Sequence, residues 1–166
     1  MLYGVDGNCC VGQSVTALPV TSSGASITGR FTATYLGSRM HYDTLTGLLF
    51  SDSGVIVNPA GLMQTSQLPG APHSLLVTDD VLKRIFLLTP DSSGGSGDGA
   101  TSYTLNVYDL TTEALVNSVT FPGVLGVATQ MARWGSDGLA FVTTISPINY
   151  SSGVLYMVQG SAISGP

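Results

Sequence analysis

One short pattern is written three times in this chain, and it constrains the fold more than any other feature. The copies are Tyr42-Asp43-Thr44-Leu45-Thr46-Gly47-Leu48-Leu49-Phe50-Ser51, Thr78-Asp79-Asp80-Val81-Leu82-Lys83-Arg84-Ile85-Phe86-Leu87 and Arg133-Trp134-Gly135-Ser136-Asp137-Gly138-Leu139-Ala140-Phe141-Val142. Each is a polar stretch leading into a short apolar run with a Phe at its centre. Asp and Gly suit tight turns, the first because it bonds its own backbone and the second because it accepts positive φ. The apolar runs are strand-length. A chain that repeats turn and strand in this way is expected to fold as antiparallel sheet.

Apolar runs recur throughout, at residues 1–5, 14–20, 29–35, 48–50, 54–57, 75–77, 84–88, 103–108, 115–121, 130–133, 139–143 and 154–158. Several alternate, as in Tyr103-Thr104-Leu105-Asn106-Val107-Tyr108. No longer segment keeps helical periodicity between caps. Charged residues are only 9% of the chain, against roughly 25% in ordinary globular domains. Gly, Ser and Thr replace them, which suits short strands and tight turns. With 43% apolar residues the chain still has enough to form a core.

Spacing selects among all-β architectures. Phe50, Phe86 and Phe141 are read as equivalent points, with Tyr3 as a fourth, at separations of 47, 36 and 55 residues. Propeller repeats run roughly 40–50 residues with four strands each. The longest interval contains the Gly- and Ser-rich segment Asp91–Gly99, which accounts for its excess. The expected fold is therefore all-β, with antiparallel four-stranded blades of a β-propeller, three to four in number and forming an incomplete ring. The blades are expected at about residues 1–37, 38–70, 73–123 and 127–160, with an exit linker at 161–166. In this phase the chain enters on a second strand and leaves on a third. The expected partners are further blades of the same polypeptide or another copy.

The segments Arg39–Gly61 and Met131–Thr143 resemble repeats of large, uncharacterised bacterial proteins of acidobacterial type. These are secreted or surface β-propellers related to YVTN, quinoprotein-like and WD40-like propellers. Val154-Leu155-Tyr156-Met157-Val158 is similar to their closing strand. The resemblance implies a propeller fold and a secreted or cell-surface location. It brings no catalytic residue and no cofactor, because the residues that hold the quinoprotein cofactor have no match here.

Net charge is −5, and Arg30, Arg39, Lys83, Arg84 and Arg133 are scattered. No basic stripe exists to neutralise phosphates, so nucleic acid is not an expected partner. No run approaches the ~18 apolar residues of a membrane span.

Few residues carry chemistry. Cys9-Cys10 could form a vicinal disulfide, strained because neighbouring Cα atoms are ~3.8 Å apart and relaxed disulfides want roughly 4.4–6.8 Å. A pair of structural loop thiols is the plainer reading. His41 and Asp43 share one strand face, and with His73 they offer a metal or acid–base site; the plainer reading makes Asp43 and Asp79, which align, hairpin braces and leaves His41 half-covering a blade face. Trp134 beside Arg133 offers a sugar-stacking or cation–π surface, against simple packing. The segment Asp91–Gly99 lacks the ligand order of a calcium loop, and its Gly95-x-Gly97-x-x-Ala100 lacks the helix that a dinucleotide site needs. Asn149-Tyr150-Ser151 matches the glycosylation pattern only.

The expected function is a non-catalytic scaffold or binding module for a protein or glycan. The alternative is part of a hydrolase, lyase or quinoprotein-like dehydrogenase whose channel site needs further blades. The 17 ionisable side chains of Asp, Glu, Lys, Arg and His are few for a dense polar site, which favours the module.

Overall fold

The computed structural model describes residues 1–6, 13–33, 36–37, 39–70, 74–91, 102–145 and 153–164. They form antiparallel strands and one helical turn. The first sheet joins β1 (Leu2–Asp6), β2 (Gln13–Leu18) and β5 (Gly29–Ala33), with the small hairpin β3 (Val20–Thr21) and β4 (Gly24–Ala25) inserted before β5. The second sheet runs in order through β6 (Met40–Tyr42), β7 (Leu49–Ser51), β8 (Val55–Asn58) and β9 (Met63–Gln67). The third follows with β10 (Leu75–Asp79), β11 (Arg84–Pro90), β12 (Ser102–Asp109) and β13 (Leu115–Pro122). The fourth holds β14 (Val127–Trp134), β15 (Gly138–Thr144) and β16 (Gly153–Gln159). Each of the last three sheets is a simple meander, the arrangement that short hairpin turns permit.

The sheets pack face to face in series. Val15, Leu49, Val55 and Val57 join the first to the second. Phe50, Ile56, Leu76, Ile85 and Leu87 join the second to the third. Phe86, Leu88, Tyr103, Leu105, Leu139 and Phe141 join the third to the fourth. The middle sheets are therefore covered on both faces. That is why Ile85-Phe86-Leu87-Leu88 reads as one apolar run and all four residues are buried. A strand with one wet face would have alternated. The first strands lie closest from sheet to sheet, with β10 against both β6 and β14. The fourth strands β9 and β13 are largely exposed.

Four of the hairpins share one six-residue turn. Its first residue is Asp43, Asn58, Asp79 or Asp109, and its sixth is Leu48, Met63, Arg84 or Ala114. The first side chain accepts backbone N–H bonds from within the turn, Asp109 Oδ1 from Thr111 and Thr112 at 3.0 and 2.9 Å. The fifth residue is left-handed: Gly47 (φ 71°), Leu62 (47°), Lys83 (53°) and Glu113 (59°). This is a geometry that glycine tolerates best.

The third copy of the motif departs from this rule. Trp134 pairs directly with Gly138, so its turn is one residue shorter than Asp43–Leu48 or Asp79–Arg84. A shift of one residue moves a strand side chain to the other face. Phe50 and Phe86 accordingly face the following sheet, while Phe141 faces back towards Tyr103 and Phe121 of the preceding one. The three Phe residues are thus not equivalent. Tyr3, which packs against the second sheet and stacks on Tyr42, is in phase with the first two.

Residues 161–164 also differ from expectation. Ser161–Ser164 forms a helical turn, α1, and its Ile163 is buried in the core between the third and fourth sheets. An apolar side chain is seated there where a free linker was expected.

Candidate functional site: a carboxylate row on the turn face

The turns β6–β7, β10–β11 and β14–β15 each join a first strand to a second. They therefore lie at the same end of their sheets, and the adjacency of β6, β10 and β14 brings them into a row. Asp43 opens the first turn and Asp79 the second. Asp43 Oδ1 accepts the Thr46 N–H at 2.8 Å and the Thr46 hydroxyl at 2.7 Å. Asp79 Oδ1 accepts the N–H groups of Val81 and Leu82 at 2.9 and 2.8 Å. One oxygen of each carboxylate is spent bracing its hairpin, as the sequence implied.

The second oxygens face different surroundings. Asp79 Oδ2 accepts the Arg133 Nε–H at 2.7 Å, tying the third sheet to the fourth. The rest of the Arg133 guanidinium donates to the backbone carbonyls of Gly138 and Ser136, and it lies 5.0 Å from the Phe86 ring centroid. Arg133 is a clamp, with its donors occupied within the fold. Asp43 is only 1% exposed, its Oδ2 is buried, and the Thr78 and Asp80 side chains lie close to its carboxylate. Asp80 Oδ2 in turn accepts the Thr44 hydroxyl at 2.9 Å, across the gap between the two sheets.

Protonation follows this layout. Burial pushes the Asp79 pKa up, but the turn N–H of Leu82 and the Arg133 guanidinium outweigh it, and the net shift is downward. Burial also opposes ionisation of Asp43, and the bonds from Asp80 and Thr46 reverse it, leaving that pKa lowered too. Asp80 is raised, first by its contact with Asp43. A proton taken up by the pair goes to exposed Asp80 before it goes to Asp43.

His41 does not join this row. Its Nε2 lies 3.5 Å from Oδ1 of buried Asp52, which also accepts the Leu76 N–H at 3.1 Å. Trp134 is 44% exposed, and its ring closes over Gly138, where a Cβ would stand 2.5 Å from the ring edge. Cys9, Cys10 and His73 lie outside the described residues, as do most of the Asp91–Gly99 segment and Asn149 to Ser151. Among the described residues no three His, Cys, Asp or Glu gather as metal ligands.

The sequence reading named Asp43, Arg133 and Trp134 but missed Asp80, Thr44 and Asp52. The doubled acid Asp79-Asp80 in a turn was the available signal. One member had to point away from the hairpin brace. The chain matches no protein-family model, no curated protein and no solved structure.

Proposed function

We propose that this chain is a non-catalytic β-propeller repeat module of an exported or cell-surface bacterial protein, serving as a scaffold or binding surface for a protein or glycan. The observation that carries the reading is the serial packing of meander sheets whose first strands converge and whose fourth strands face solvent. Blades arranged about an axis have this geometry, inner strands close and outer strands apart. The motif resemblance supports the bacterial and exported part of the reading. The binding role rests on the turn face, where Trp134 presents an exposed ring beside a clamped, unavailable Arg133.

A glycan array probed with the purified chain tests it. A subset of polysaccharides should be retained, and Trp134→Ala should weaken retention about tenfold, the scale of one aromatic stacking contact. Retention that is indifferent to Trp134→Ala would remove this face as the binding surface. Turnover of ester or glycoside substrates by the chain would replace the module reading with an enzyme.

A further inference from the structure

Exposed outer strands close the second and third sheets, and their pairing is interrupted: β8–β9 shifts register between Ile56 and Val57, and β12–β13 between Val107 and Tyr108. Such irregularities twist an edge away from pairing with other chains. The fourth sheet ends instead on β16, which has no outer partner among the described residues. Its pairing with β15 runs from Gly138↔Gln159 to Thr144↔Gly153 without a shift. Gly153-Val154-Leu155-Tyr156-Met157-Val158-Gln159 also lacks charge and proline, the other devices that protect an edge. The strand is nearly a palindrome about Tyr156, with Leu155 and Met157 on either side and Val154 and Val158 beyond them.

We propose that β16 pairs antiparallel with β16 of a second copy about a two-fold axis at Tyr156, so that each copy supplies the other's fourth strand. Pairing centred there sets Leu155 against the partner's Met157 and Val154 against the partner's Val158. From Val154 to Val158 each cross-strand pair then joins apolar to apolar or ring to ring, and no charge meets its like. Leu155 and Met157 are exposed in the single chain, and with their counterparts they form one apolar cluster across the axis. On the opposite face Tyr156 and Val158 line the cavity of about 420 Å³ beside Phe121, and the partner's Tyr156 and Val154 come to lie along its open side. Both edges are used up in this contact, so assembly through it stops at two. The pairing needs only the edge of β16, and a chain that retains no glycan would still dimerise.

Sedimentation of the full chain tests it. An edge contact of this size is weak, so at roughly 100 µM the mass should be twice the 17.1 kDa of one chain, falling towards one chain on dilution to about 1 µM. Leu155→Lys with Met157→Lys, and Leu155→Glu with Met157→Glu, should each be monomeric because like charges come opposite one another, and an equal mixture of the two should dimerise again. Cysteines placed in a Cys9→Ser, Cys10→Ser background read the register. Leu155→Cys and Met157→Cys should cross-link under oxidised glutathione only when mixed, because like positions sit on the diagonal, too far apart for a disulfide. The proposal is overturned if the wild type keeps the mass of one chain at the higher concentration, if the mass climbs beyond two chains, or if either cysteine variant cross-links alone as well as the mixture does. A wild-type monomer that takes up a synthetic peptide of β13 would overturn it in favour of an outer strand from elsewhere.

Discussion

Two aspartates in the same turn position end in opposite electrostatic situations, and the difference lies in what the neighbouring sheet offers. Asp79 and Arg133 are both mostly shielded from water, so their bond is screened far less than a surface ion pair. Because Asp79 is more acidic folded than unfolded, it favours the folded state above its unfolded pKa of about 3.9, and that contribution fades as pH falls through the lower folded value. Asp79→Asn keeps a carbonyl oxygen for the turn brace but loses the charge. It should destabilise the fold by about 2 kcal/mol at neutral pH, the scale of a charge-assisted hydrogen bond. Denaturant titrations between pH 7 and pH 2 should show a flatter acid limb for the variant than for the wild type. Parallel limbs would mean that Arg133 does not hold Asp79 in solution.

At the scale of the element, the recurring six-residue turn exposes a local conflict between sequence and backbone. Gly47 meets the left-handed position with the residue best suited to it, whereas Lys83 and Glu113 hold the same position with side chains. A non-glycine residue there costs roughly 1–2 kcal/mol, and glycine returns about 0.5–1 of that through its greater unfolded-state entropy. Lys83→Gly and Glu113→Gly should therefore each stabilise by about 0.5–1 kcal/mol, while Gly47→Ala should cost about 1 kcal/mol. Glu113→Gly also removes the bond from the Ser66 hydroxyl, so its gain should be the smaller of the two. Chemical denaturation of the three variants checks the order. The bracing role of Asp43 and Asp79 was legible in the sequence because a brace is local, with donor and acceptor two or three residues apart. The pairing of Arg133 with Asp79 was not, because 54 residues separate them and only sheet stacking brings them together. The Phe pattern misled for a related reason. Counting along the chain preserves distance from the turn, but one residue fewer in the turn reverses the face, so Phe141 looked equivalent to Phe86 and is not.

At the scale of the molecule, the all-β class and the meander order were readable because apolar runs and turn residues are local signals. The face-to-face series was only hinted at, by continuous apolar runs such as Ile85–Leu88 that need two neighbours. The same series shows where neighbours are wanting. β7, β11 and β15 each have an inner partner strand, but β1, their counterpart, has none among the described residues. Beside it opens a cavity of about 440 Å³ lined by Leu2, Tyr3, Val5, Met40 and Tyr42. β8 and β12 each have an outer partner, but β16 has none among the described residues, and a cavity of about 420 Å³ lies along it and Phe121. On the far face of the fourth sheet, Leu155 and Met157 are 60% and 53% exposed. Unpaired edges next to uncovered apolar side chains are templates for pairing with another chain. The chain in isolation should therefore associate. Light scattering should give a mass above the 17.1 kDa of one chain, and Leu155→Thr with Met157→Thr should shift it towards the monomer. The double variant lies on an exposed face and removes no buried contact, so its fold should survive, which circular dichroism would verify. A monodisperse wild-type monomer with a sharp cooperative melt would sink the association and, with it, the proposal of an incomplete ring.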